Sequence, residues 1–134
     1  METEKRIHSL NCFGCSSQNP IGLKIAFEAN GDGIVAEFTS NENHEGPPGF
    51  VHGGVLGAIL DEAISYVAWG SMEHGVLTTR ETIDFRNASP IGEKLKIEAE
   101  ITKEKNRAFV VTAKVYNQKG TIAEAEGTLL KVKM

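Results

Sequence analysis

The hydrophobic period of the chain changes only once. From Gly53 to about Ala68, the residues Val55, Leu56, Ile59, Leu60, Ala63, Ile64 and Val67 fall within one half of a helical wheel turning ~100° per residue. Elsewhere apolar residues alternate with polar ones. Leu23, Ile25 and Phe27 alternate with Lys24 and Glu28, and Ile34, Ala36 and Phe38 alternate with Glu37 and Thr39, which predicts two strands. Asn30-Gly31-Asp32-Gly33 between them tolerates positive φ and should close a hairpin. Further strands are expected over Leu77 to Phe85, Lys94 to Thr102, Ala108 to Tyr116 and Thr121 to Val132. Turns at Ser89-Pro90-Ile91-Gly92, Lys105-Asn106 and Asn117-Gln118-Lys119-Gly120 separate them. Asn41 to Phe50 holds Gly46, Pro47, Pro48 and Gly49 and reads as irregular loop leading into the helix. The order ββαββββ belongs to the α+β class, with an antiparallel sheet of about six strands curling around one long helix.

At 134 residues and 40% hydrophobic, the chain can build one real core. A single domain over 1–134 is expected, opening with a loop segment over 1–20. The formal net charge of -4 offers no electrostatic footprint for nucleic acid. No apolar run approaches the roughly 20 residues needed to span a bilayer, and no signal-type segment follows Met1 to Arg6. These features predict a soluble, cytoplasmic protein with no nucleic-acid or membrane partner.

Cys12 and Cys15 form a lone C-x-x-C, open to three readings: half a zinc site, a redox pair, or two ordinary thiols. Zinc takes four ligands, and no second C-x-x-C or spaced His pair follows. A thioredoxin-like pair would follow a strand at a helix start, whereas Ser16-Ser17-Gln18-Asn19-Pro20 reads as loop. Ordinary thiols, with no metal and no cofactor, are the expectation; a metal shared between subunits is the main alternative, and stoichiometric zinc would reveal it.

The stretch with most chemical content is Gly49-Phe50-Val51-His52-Gly53-Gly54, continuing through Gly57 and Ala58 to Asp61 and Glu62. Two glycines at a helix start leave bare N–H groups that, with the helix dipole, suit an oxyanion or a polarised carbonyl. They could equally serve only close packing of the loop on the helix. Asp61 lies two turns on, beside Gly57 and Ser65 on a face of small and polar residues. Half-buried and with a raised pKa it would suit a general base or a nucleophile; otherwise Asp61 and Glu62 both face solvent. Glu62 projects about 100° away and is not expected to share a role with Asp61. Gly53 and Asp61 are separated by roughly 12 Å along the helix axis, too far to act on one carbonyl. If both belong to one site they come from different chains, so two helices packed antiparallel about a two-fold axis are expected.

His52-Gly53-Gly54 followed by Asp61 in a ββαββββ chain resembles the hotdog-fold thioesterase superfamily, in the branch of phenylacetyl-CoA thioesterases and the related human acyl-CoA thioesterases. Cys12-Phe13-Gly14-Cys15, Asn19-Pro20-Ile21-Gly22-Leu23 and Ile83-Asp84-Phe85 are also similar to segments of that branch. The resemblance covers nearly the whole chain. It implies hydrolysis of an acyl-CoA thioester by a homodimer or a dimer of dimers. Gly53 would supply the oxyanion N–H, Gly54 would shape the turn, and His52 would orient the loop. Asp61 of the partner subunit would attack the carbonyl or activate water, and Thr78 or Thr79 would hold that water. Asn43 and His44 stand in the loop where relatives carry an amide side chain. Arg80, Arg86, Lys103, Lys105 and Arg107 are candidates for the coenzyme A phosphates. Phe50, with Val51 beside it, Leu56, Ile59 and Trp69 are candidates for the acyl pocket, though core packing explains most of them as well. Competing readings are a hotdog hydratase or dehydratase using His52, and a module that binds acyl-CoA without hydrolysis.

Overall fold

The structure, a computed structural model, describes residues 8–70 and 75–132. Its elements are β1 (Glu28–Asn30), β2 (Gly33–Thr39), α1 (Gly53–Gly70), β3 (Gly75–Phe85), β4 (Lys94–Lys105), β5 (Ala108–Asn117) and β6 (Gly120–Val132). They form one antiparallel sheet in the order β1-β2-β4-β5-β6-β3. Strand β3 follows α1 directly in sequence, yet it pairs with the last strand and stands at the far edge of the sheet.

The period of the helix decides where the sheet lies. Ile59, Leu60, Ala63, Ile64 and Ala68 are completely buried, and Leu56 and Val67 nearly so. With Leu95, Ile97, Phe109, Val111, Val115, Ala123 and Leu129 from the sheet they make one continuous core. Each fully buried Leu or Ile contributes about 1.5–3 kcal/mol, so this arc of α1 is the main thing holding sheet and helix together. The opposite arc, with Gly57, Ala58 and Asp61, is left partly or fully exposed. Register shifts in β3 between Thr78 and Arg80 and in β4 between Ile101 and Lys103 bend the sheet. Gly127 on β6 lets the helix come close: a methyl there would stand 3.1 Å from Ile64 and 3.4 Å from Glu81.

The expected strand over Leu23 to Phe27 is corrected. Leu23, Ile25 and Phe27 are buried and Lys24 and Ala26 exposed, as the alternation implies. Lys24, however, takes a φ of 55°, which breaks the extended run. The N–H groups of Leu23 and Ile25 donate to the carbonyls of Phe13 and Gly14 at 2.7 and 2.9 Å, and only Glu28–Asn30 joins β2. The hairpin closes on Gly31, whose φ is 62°. The loop before the helix also departs from expectation, since Glu42–His44 form one 3-10 turn. Among the described residues no helix is long and apolar enough to cross a membrane.

Candidate active site

The site begins where the loop becomes the helix. The His52 N–H donates to the His44 carbonyl at 2.8 Å, and the Val51 N–H to the Ser89 carbonyl at 2.9 Å, so the approach to α1 is pinned on both sides. His52 then acts as the N-cap. Its carbonyl accepts from Val55 and Leu56, and its Nδ1 accepts from the Gly54 N–H at 2.7 Å, which leaves the proton of the neutral ring on Nε2. A methyl on Gly54 would lie 2.9 Å from that Nδ1, so a larger residue would push the His52 ring out of its capping position. Gly53 differs from it. Its N–H has no acceptor among the described residues, and a methyl on it would meet Phe85 only at an ordinary 3.7 Å. Packing within the chain therefore explains Gly54 and not Gly53, whose bare donor lies at the positive end of the helix dipole.

Of the two settings open to Asp61, half-buried or facing solvent, the structure shows the second: it stands exposed on the opposite arc of α1. It accepts a hydrogen bond from Thr78 Oγ1 at 3.0 Å. Thr79, the other candidate, occupies the bulge and donates instead to the Thr128 carbonyl at 3.0 Å. Beside Asp61 lies Glu81, also on β3. Burial first, and then the hydrogen bond and charge of Asp61, push the Glu81 carboxyl up to about 8. Its Oε1 is buried with no hydrogen-bond partner among the described residues. Gly53 sits against Phe85 at the end of β3, whereas Asp61 sits against Thr78 near its start. The two groups thus face different stretches of the same strand.

The remaining candidates are distributed as follows. His44 closes a capping box with Asn41 and packs its ring on Phe38, and burial lowers its pKa. Asn43 is exposed in the same turn. Phe50 is exposed, but the side chains of Val51, Leu56 and Ile59 are buried in the core. Trp69 stacks on His8. Arg80 and Arg107 are exposed at the end of the sheet that carries Thr78, where the Arg107 carbonyl accepts from the Lys131 N–H. Arg86, by contrast, is committed to Glu124 at 2.7 Å and Asp84 at 3.5 Å, which raise its pKa. A groove of about 810 Å3 runs across the sheet past Asp32, Asp84, Glu98, Glu100, Glu124 and Glu126 and does not reach Gly53 or Asp61. Its carboxylates would repel an anionic ligand.

The sequence profile of the thioesterase superfamily matches residues 48–124, from the loop before His52 into β6. The chain belongs to the thioesterase superfamily. Among its relatives is the acyl-coenzyme A thioesterase THEM4 of Xenopus laevis, 29% identical over 101 residues, which are 75% of this chain and 45% of that protein. The chain thus spans less than half the length of this curated relative. A solved thioesterase superfamily protein superposes with a TM-score of 0.82 at 20% identity, covering 90% of this chain and 60% of the other. A Streptococcus mutans protein solved bound to acetyl-CoA superposes with a TM-score of 0.75 at 18% identity, covering 81% and 89%. These likenesses establish the hotdog fold.

The placement of two carboxylates near α1 escaped the sequence. Glu81 had no signal beyond a carboxylate in an alternating strand, and its approach to Asp61 depends on Gly127 lying opposite it in β6. Glu62, for which the sequence offered only a solvent-facing alternative and no role shared with Asp61, is 9% exposed and pairs with His8 at 2.8 Å. Burial raises the Glu62 pKa, but hydrogen bonding and charge from His8, together with hydrogen bonds from Cys15 and Cys12, outweigh it and leave the carboxyl below its ordinary value.

Proposed function

We propose that this chain is one subunit of a dimeric acyl-CoA thioesterase whose two sites each combine Gly53 of one chain with Asp61 of the other. The observation that carries the reading is the bare Gly53 N–H, a donor that packing within the chain does not account for, about 12 Å along the helix from a hydrogen-bonded Asp61. Superfamily membership and the acyl-CoA thioesterase relative supply the reaction class. The thioester oxygen would accept from the Gly53 N–H as negative charge develops on it. Asp61 of the partner subunit, oriented by Thr78, would attack the carbonyl carbon and expel CoA thiolate, leaving a mixed anhydride for water to cleave, or would take a proton from the attacking water. Arg80 and Arg107 would meet the CoA phosphates, while Arg86 is already paired.

The outer edge of β3 supports dimerisation. Among the described residues this strand of 11 residues pairs only with β6, and Leu77, Phe85 and Leu130 expose large apolar side chains along the two strands. So long an unpaired edge invites association, and a second copy would cover it together with the small-residue arc of α1. The dehydratase reading loses support, because the His52 Nδ1 is occupied in capping.

The test is hydrolysis of a panel of acyl-CoA thioesters, followed by release of free thiol, with wild type and Asp61→Asn. Turnover by wild type and a loss of about 100-fold or more in a folded Asp61→Asn are expected. Binding without hydrolysis would point to a non-catalytic module, and an unimpaired Asp61→Asn would remove Asp61 from the mechanism.

A further inference from the structure

The N-terminal segment folds back onto α1 and brings four ligating side chains together. His8, Cys12, Cys15 and Glu62 each offer one ligand atom, and these atoms lie within 4.8 Å of one another. We propose that His8 Nδ1, the Cys12 and Cys15 thiolates and one Glu62 oxygen bind a structural zinc ion that fastens residues 8–15 to the middle of the helix.

The spacing fits a tetrahedron. With Zn–S near 2.3 Å and Zn–N or Zn–O near 2.0 Å, sulfur stands about 3.5 Å from each nitrogen or oxygen ligand. Here His8 Nδ1 lies 3.6 Å from Cys12 Sγ and 3.5 Å from Cys15 Sγ, and Cys12 Sγ lies 3.5 Å from Glu62 Oε1. The His8 to Glu62 edge, at 2.8 Å, is tighter than the roughly 3.3 Å of a metal-centred tetrahedron, and no edge of the cluster exceeds 4.8 Å. A direct hydrogen bond accounts for the short His8 to Glu62 edge.

The surroundings are arranged around the cluster. His8 is held in orientation by stacking on Trp69, with centroids 4.4 Å apart and planes 7° from parallel, and by an edge contact with Tyr66 at 5.6 Å. Its Nε2 is buried without a partner among the described residues, so stacking rather than a second hydrogen bond fixes the ring. The His8 N–H donates to Cys15 Sγ at 3.2 Å, the kind of outer bond that supports a metal thiolate. Gly14, between the two cysteines, makes room for the carboxylate: a methyl there would lie 2.3 Å from Glu62 Cδ. Cys12 and Cys15 are both free thiols. As thiolates, Cys12 and Cys15 would add two negative charges beside the buried Glu62 carboxylate, and a divalent cation would compensate them. Two sulfurs and one imidazole select zinc over magnesium or calcium, and four protein ligands close the coordination sphere, as in structural rather than catalytic sites.

The test uses the untagged full chain. Elemental analysis after gel filtration should find about one zinc per chain, and the zinc-free protein reconstituted with cobalt(II) alone should show thiolate charge-transfer bands and intense tetrahedral d–d bands. Cys12→Ser, Cys15→Ser and Glu62→Gln should each lower the bound metal and weaken those bands. The cobalt spectrum needs only wild type, so the test survives variants that fail to fold. Wild type that neither holds zinc nor gives the cobalt spectrum overturns the proposal, as does a Cys12–Cys15 disulfide in fresh protein, or metal content unchanged in all three variants. None of these readouts depends on thioesterase activity.

Discussion

Glu81 and Asp61 are neighbouring carboxyls in unequal surroundings, one partly buried under Gly127 and the other open to solvent and bonded to Thr78. Folded Glu81 stays protonated up to about 8, whereas in the unfolded chain it ionises near 4.5. Its contribution to stability is therefore complete below about pH 4.5 and is lost as pH rises through about 8. Glu81→Gln keeps a neutral side chain of similar shape and removes that ionisation. Urea midpoints should fall less between about pH 5 and about pH 9 in the variant than in wild type, and equal slopes would show that Glu81 titrates normally. Gly53 and Asp61, the residues of the proposed site, could be singled out because one stretch of sequence carries them both. Glu81, His8 and Glu62 were not, since each owes its place to a residue distant in the chain, and two of the enabling residues, Gly14 and Gly127, act only by lacking a side chain.

At the scale of elements, the entry to α1 allows the Gly53 donor to be removed without removing the helix. Gly53 is the first helical residue after the His52 cap, a position where proline is well tolerated because that N–H has no intrahelical partner. Gly53→Pro should therefore keep the helical circular dichroism of wild type and lose about 10²- to 10³-fold in kcat, the usual consequence of deleting one oxyanion donor. Full activity in a folded Gly53→Pro would assign the polarising group elsewhere. Helix α1 and strands β2 to β6 were readable from their periods, with ends extended by a few residues. The stretch before β1 was misread because alternation reports burial, not pairing. Leu23, Ile25 and Phe27 are buried, but the turn at Lys24 sends their backbone to the cysteine loop instead of to a strand.

For the molecule as a whole, a site shared between chains makes an arithmetical prediction. Mixing Gly53→Pro with Asp61→Asn under conditions of subunit exchange gives half heterodimers, and each of these has one doubly defective and one intact site. Activity should recover to about a quarter of wild type from two nearly inactive parents, as the two-fold symmetry requires. No recovery despite exchange, verified by mass spectrometry, would show that Gly53 and Asp61 of different chains do not form one site. The strand order has a further consequence, for synthesis. The ribosome releases β3 before β4, β5 and β6, yet Gly75 to Phe85 must wait for Val132 to Ala123 to find their partners within the chain. Until translation reaches the last strand, the most apolar edge of the sheet has nothing of its own to pair with. Emerging chains are then most vulnerable to mispairing with one another along the same strand that, once folded, would join the mature subunits.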